Sequence, residues 1–402
     1  MVTKGKISFK ISRQELYIGL IVLSFVTSAY LNRITFFNLA YNILRYFFSF
    51  VAILVFAKER KRNYKWLLLL GLFYLAFIWS SIINQEPIMS LLKNALFSIS
   101  FCVLMDFYLK KDLITTISSV RKSLEILMWI NLVTVILFPD GLYIVTSELH
   151  ATAMNPAYFL GHRNNAIEVF IPLVGLAMLE SHMLQKRMDT VVIRTILCSL
   201  VTVVLTWSAN AILCVALFIV YCFLYKRPHY KLYNVWTFFF SSVVATIGLV
   251  VLRIERMFYW LITGILHKSI TLSTRTLIWE RSVNWIKKSP IYGYGVESAE
   301  VKFPKIRALN SCHNYYLDYL YYGGVIMLII VLLLFYVSVK NLGQIKDNKI
   351  IDIIATTFGS YFILWIATPI HRGSIVWMFV FWLISYVISN DNQLCKSNGR
   401  EI

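Results

Sequence analysis

Residues 314–338 read NYYLDYLYYGGVIMLIIVLLLFYVS, an apolar block whose one charged residue, Asp318, lies near its start. About twenty apolar residues in a helix cross the hydrocarbon core of a bilayer, and a backbone in lipid must satisfy its own hydrogen bonds. Blocks of this kind recur along the chain. They predict helices near 16–31, 36–57, 66–83, 88–109, 123–138, 165–180, 191–208, 210–225, 234–252, 314–338, 353–369 and 374–389. Of the 402 residues 58% are hydrophobic and 15% charged, more apolar side chain than a soluble domain of this length can hide. The expected fold class is all-α: a polytopic integral membrane protein, one membrane domain over 1–402, with about twelve transmembrane helices.

A net charge of +19 first suggests nucleic acid as a partner, but the lysines and arginines sit mostly between the apolar blocks, which excludes that reading. More than half of the 39 fall in one alternating set of loops: Lys4 to Arg13, Lys58 to Lys65, Lys110 to Lys122, Lys186–Arg187, Lys226 to Lys231, Lys340 to Lys349 and Lys396 to Arg400. The other short loops hold only Arg33, Lys93, Arg163 and Arg372. Basic residues in short loops mark the cytoplasmic side, so both termini are expected inside. The basic start, Met1 to Arg13, precedes an apolar block without a small-residue cleavage site and reads as the lead into an uncleaved first span. Two outer loops are long, 139–164 and 253–312. Six cysteines show neither CxxC nor Cys/His spacing, so neither a disulfide framework nor a metal site is expected. No internal repeat is evident, which weakens a transporter built from inverted halves.

The second outer loop does not follow the charge rule. Arg253, Arg256, Lys268, Arg275, Arg281, Lys287, Lys288, Lys302, Lys305 and Arg307 face only four glutamates there. Such charges can be merely solvated or touch lipid headgroups. As a group they suit an anion such as a pyrophosphate, because Arg offers a planar fork to phosphate oxygens. Ser273 to Ser289 reads as an amphipathic helix with Arg275, Trp279, Ser282 and Ile286 on one face. Pro290 ends it, and Pro290-Ile291-Tyr292-Gly293-Tyr294-Gly295 follows, a turn in which glycines permit positive φ or close backbone approach. His313-Asn314 then opens the tenth span, with Asp318 about one turn further in. An imidazole there can act as general base on a sugar hydroxyl, hydrogen-bond a substrate, or simply sit among interfacial aromatics. Arg163, in Gly161-His162-Arg163-Asn164-Asn165 before the sixth span, is a second anion clamp or a headgroup anchor. Arg45 lies mid-span and must face the bundle interior or snorkel. His371 and Arg372 occupy the last outer turn. No DxD pair, P-loop or GxSxG is present, so an enzyme here needs a substrate whose leaving group is already activated.

The run Arg275…Trp279…Ile286…Pro290…Gly293-Tyr294-Gly295…His313-Asn314-Tyr315…Leu317…Gly323-Gly324 resembles the O-antigen polymerase and O-antigen ligase superfamily, which includes Wzy-type capsular and O-antigen repeat-unit polymerases. Gly161 to Asn165 looks like that family's Gly/Asn element. One departure is the tight turn Ser208-Ala209-Asn210, where many members carry Ser-Arg; Arg163 then supplies the missing charge. The resemblance implies a GT-C-like, metal-independent glycosyltransferase without cofactor, in the bacterial cytoplasmic membrane. Its substrate would be an undecaprenyl-diphosphate-linked oligosaccharide, and its partners membrane lipids, a chain-length regulator and a flippase. His313 and Arg275 would be the catalytic residues, and Arg163, Asn165, Arg256, Arg281, Gly293, Gly295, Asn314 and Arg372 would hold substrate and diphosphate. A polymerase extends one lipid-linked repeat with another; a ligase moves the finished glycan to another acceptor. A polysaccharide transporter or flippase is the reading from a different class.

Overall fold

The structure is a computed structural model and describes residues 12–59, 64–146, 154–185, 189–254, 275–368 and 375–390. Among these residues are fourteen α-helices: α1 Arg13–Phe25, α2 Thr35–Lys58, α3 Tyr64–Ile83, α4 Met89–Lys111, α5 Leu113–Leu137, α6 Ala166–Met183, α7 Thr190–Leu205, α8 Ala209–Leu224, α9 Val235–Val250, α10 Arg275–Ile286, α11 Ala299–Ile306, α12 Tyr315–Val339, α13 Asn348–Ala367 and α14 Ile375–Asn390. Each of the twelve expected apolar segments overlaps a helix, and α10 and α11 lie within the segment 253–312. Six helices, α2, α3, α4, α6, α12 and α13, are long and apolar enough to cross a membrane; α7, α8, α9 and α14 are shorter apolar helices. The outward faces are apolar too. Phe36, Leu39, Ile43, Phe47, Phe50 and Ile53 of α2 are all exposed, whereas its buried residues are Phe48, Ser49 and Ala52. This is the inverse of a soluble surface and the arrangement expected of a multi-pass membrane protein.

Helix α1 is shorter than its apolar block. It stops at Phe25, and the chain continues irregularly to a short 3-10 turn, Leu31–Arg33. Arg45 of α2 answers this break: its Nε donates to the Ser24 carbonyl at 2.9 Å and its Nη2 to Thr27 Oγ1 at 2.7 Å. Carbonyls in a helix's last turn lack intrahelical donors, so the mid-span charge is spent on capping α1.

The caps divide by end. Ser12, Asp112, Asp189, Asn234 and Asp347 cap α1, α5, α7, α9 and α13 with side-chain acceptors. Helices that begin at the opposite end, α2, α4, α6 and α8, carry no side-chain cap bond. Helix α12 begins there too and is the exception, capped by Asn314.

Two features depart from the expected architecture. The segment 139–164 contains a three-stranded antiparallel sheet, β1 Tyr143–Thr146, β2 Met154–Tyr158 and β3 Gly161–His162, so the chain is not purely α. Its register pairs Tyr143 with Ala157 and Tyr158 with Gly161. The block at 314–338 is also not one continuous helix. At Gly324 (φ 63°, ψ −160°) the backbone leaves helical geometry. The groups this frees find partners in Pro290 to Gly295: Val325 N–H donates to Pro290 O at 2.8 Å, Tyr294 N–H to Tyr321 O at 2.8 Å, and Gly295 N–H to Tyr322 O at 2.9 Å. A break in a span is tolerated where protein re-satisfies the backbone in this way.

Candidate functional site

At the end of the bundle where α6 and α12 begin, a hydrogen-bonded rim joins several elements. Asn164, just before α6, accepts from Ser208 Oγ in the α7–α8 turn at 2.8 Å. Asn210 of α8 donates to Thr368 Oγ1 at the end of α13, at 2.6 Å. Two residues earlier, Ile366 O accepts from Asn314 Nδ2 at 2.9 Å. Asn314 Oδ1 in turn accepts the Leu317 N–H at 3.1 Å. Asn314 is thus spent on fastening the start of α12 to α13.

Arg163, just ahead of α6 at this end, is near enough to Arg275 for its charge to act there. Burial, then the neighbouring Arg163 charge, pulls the Arg275 guanidinium below its ordinary pKa. The Arg275 Nε is shielded from solvent and has no hydrogen-bond partner among the described residues. Arg163 itself is exposed. Two like charges acting on each other, one with a buried donor unpartnered among the described residues, form an arrangement that an anion would complete. Asn165 lies at the uncapped N-terminus of α6 beside Arg163, where backbone N–H groups add to the positive potential.

His313 sits in a left-handed turn, φ 53°, a costly conformation for a residue with a side chain. Anchors hold it from both sides. Cys312 N–H donates to the buried Asp318 carboxylate at 2.6 Å, and Asn314 is tied as described. The Cys312 thiol is pushed well up by burial and by Asp318, and it lies beside Ser282 of α10. This contact explains why Trp279 and Ser282 are buried: they are the face of α10 that packs on the His313 turn.

Gly293 and Gly295 find their reason in packing. A Cβ on Gly293 (φ 64°) would meet Tyr321 O at 2.5 Å, and one on Gly295 (φ 68°) would meet Ser81 Cα at 2.6 Å. The segment is wedged between the α12 break and the outer end of α3. Ser80 Oγ reaches both Tyr292 O and Tyr322 O, at 2.5 and 2.6 Å, while Ser81 Oγ accepts Val296 N–H and Asn84 reaches Gly293 O. The sequence reading passed over Ser80, Ser81 and Asn84; the signal was a run of hydroxyl and amide groups closing an apolar block.

The basic loop is partly spent on itself. Arg253 pairs with Glu280 at 2.8 Å, Lys305 pairs with Glu297, and Lys288 lies over the Trp285 ring at 4.0 Å. Lys302 is buried, donating to Asn310 O and Tyr322 Oη. Arg281, half-buried, is six residues beyond Arg275, about 240° around the helix at 100° per residue, and so on another face. Arg256 and Arg372 lie outside the described residues.

Bundle and rim define a multi-pass helical membrane protein with an anion-suited cluster at the loop-bearing end. Residues 195–332 match the family model described as O-antigen ligase, in agreement with the O-antigen polymerase and ligase superfamily, whose members are glycan-modifying membrane enzymes. The matched segment contains Arg275, Gly293, Gly295, His313 and Asn314; Arg163, Asn165 and Arg372 fall outside it. No curated protein matches the chain.

Proposed function

We propose that the protein polymerises oligosaccharide repeat units on the outer face of the bacterial cytoplasmic membrane. The observation that carries this reading is Arg275, its buried Nε unpartnered among the described residues and its charge felt by Arg163, in the same loop as the strained His313 turn. The donor is an undecaprenyl-diphosphate-linked glycan, and the acceptor is the non-reducing end of another lipid-linked repeat. His313 takes the proton of the acceptor hydroxyl as its oxygen attacks the anomeric carbon. The bond from that carbon to the diphosphate oxygen breaks, and undecaprenyl diphosphate leaves with its charge held by Arg275 and Arg163. Arginine donors stabilise such developing charge, and no metal is needed because the leaving group carries its own activation. In this reading the twelve apolar helices all span, as a GT-C-like scaffold with both termini cytoplasmic, and a flippase and a chain-length regulator work alongside.

A ligase on the same scaffold is the second reading, favoured by the family description matched over 195–332. Cells lacking the protein separate the two: loss of a polymerase leaves single lipid-linked repeats, whereas loss of a ligase leaves long lipid-linked chains. Arg275→Ala and His313→Ala should leave the protein inserted and abolish long polysaccharide on gels. Persistence of long chains with both replacements together sinks the enzyme assignment.

A further inference from the structure

The left-handed turn at His313 raises a physical question: what holds a side-chain-bearing residue in a conformation that costs free energy? Ser311 Oγ accepts the His313 N–H at 3.3 Å, a long bond. The shorter bond is one residue earlier, where the Asp318 carboxylate accepts the Cys312 N–H at 2.6 Å. Asp318 is 4% exposed and His313 8%, so both lie away from solvent. The charges acting on Asp318 are those of Lys302 from α11 and of His313. The Cys312 thiol, Tyr315 and Tyr319 are the other titratable groups at this place, and Tyr315 is fixed by stacking on Trp365 of α13 at 3.9 Å.

We infer that Asp318 is the positioning residue for His313: its buried carboxylate accepts the Cys312 N–H and so fixes the strained turn that presents the imidazole. The inference rests on the proposed role of His313 as base at the acceptor hydroxyl.

Asp318→Asn keeps an oxygen that accepts the Cys312 N–H, whereas Asp318→Ala removes the acceptor. The assay uses full-length protein in liposomes with undecaprenyl-diphosphate oligosaccharide isolated from cells that lack the protein. Per folded molecule, Asp318→Ala should lower kcat about tenfold or more with KM little changed, as for loss of a positioned acid–base group. Asp318→Asn should restore most of that loss. Thermal melting reports folding of each variant, and Asp318→Glu, which displaces the acceptor by one methylene, takes the place of Asp318→Ala if that variant does not fold. Wild-type kcat in the variant that loses or displaces the acceptor, in a preparation where His313→Ala is inactive, overturns the inference alone. Activity in His313→Ala overturns the reading on which it rests.

Discussion

Two arginine pairs stand near opposite ends of α6 and are treated in opposite ways. Beyond its C-terminal half, Arg121 of α5 bonds Glu125 and Glu180, the latter at 2.5 Å, and Arg194 of α7 bonds Glu125 at 2.5 Å. Two guanidinia meet two carboxylates, and the cluster stitches α5, α6 and α7 together. Ahead of α6, the nearby charge acting on Arg275 is that of Arg163 instead, and the Arg275 Nε is buried with no hydrogen-bond partner among the described residues. Buried charges in a scaffold come with their counter-ions because an unpaired one is expensive. A buried donor with no partner among the described residues is costly for the apo fold, and under the proposed function that cost is offset where an anion arrives with substrate.

The largest effect that tests this contrast is on stability. Arg121→Ala strips Glu180 and one side of Glu125, and breaking a buried ion pair at one partner costs about 3–5 kcal/mol. Melting in detergent should drop sharply, and Arg121→Met with Glu180→Leu should recover much of the loss, because a well-packed apolar pair replaces the ions. If Arg121→Ala melts like the wild type, the cluster is not what holds these helices.

Next comes the opposite pattern at the other pair. Arg275→Ala should cut polymer formation by about 10²–10³, equivalent to about 2.7–4 kcal/mol, as for loss of one donor to a developing oxyanion. Its melting temperature should stay level or rise, because a like-charge repulsion and a shielded donor without a partner among the described residues disappear together. Loss of stability comparable to Arg121→Ala, with activity per folded molecule intact, would place Arg275 among the scaffold arginines.

How far these features could be read beforehand follows from the physics of each. The helical segments were legible because lipid demands runs of apolar residues, and α2, apolar on nearly all sides, is the clearest case. The end of α1 was not, because Ser24 to Tyr30 is polar only in hydroxyls, and what stops the helix there is Arg45 from a different span. The sheet at 143–162 was missed because short alternating strands give a weak signal beside long apolar blocks. Between the ninth and tenth apolar segments, the Arg275 helix could be found from spacing and His313 as the residue that opens the next helix, but not its left-handed turn. That Lys305 pairs with Glu297, or that Asp318 holds Cys312, depends on chain reversals that spacing does not encode.

Gly293 and Gly295 sharpen the comparison at the smallest scale, because glycines beside a basic cluster suit two explanations. If they let backbone approach a diphosphate, they belong with Arg275; if they let backbone approach protein, they belong with Arg121. The contacts favour the second: Gly295 has φ 68° and its missing Cβ would stand 2.6 Å from Ser81 Cα, a backbone atom that cannot swing aside. Left-handed strain alone costs about 1–3 kcal/mol, so Gly295→Ala should lower melting by a margin below that of Arg121→Ala. Activity should fall only as far as the folded fraction falls, since the Arg163–Arg275 pair is untouched. A Gly295→Ala protein that melts normally yet makes no polymer would reverse the assignment, moving the Gly-Tyr-Gly segment from the clamp on the α12 break to the substrate side of the loop.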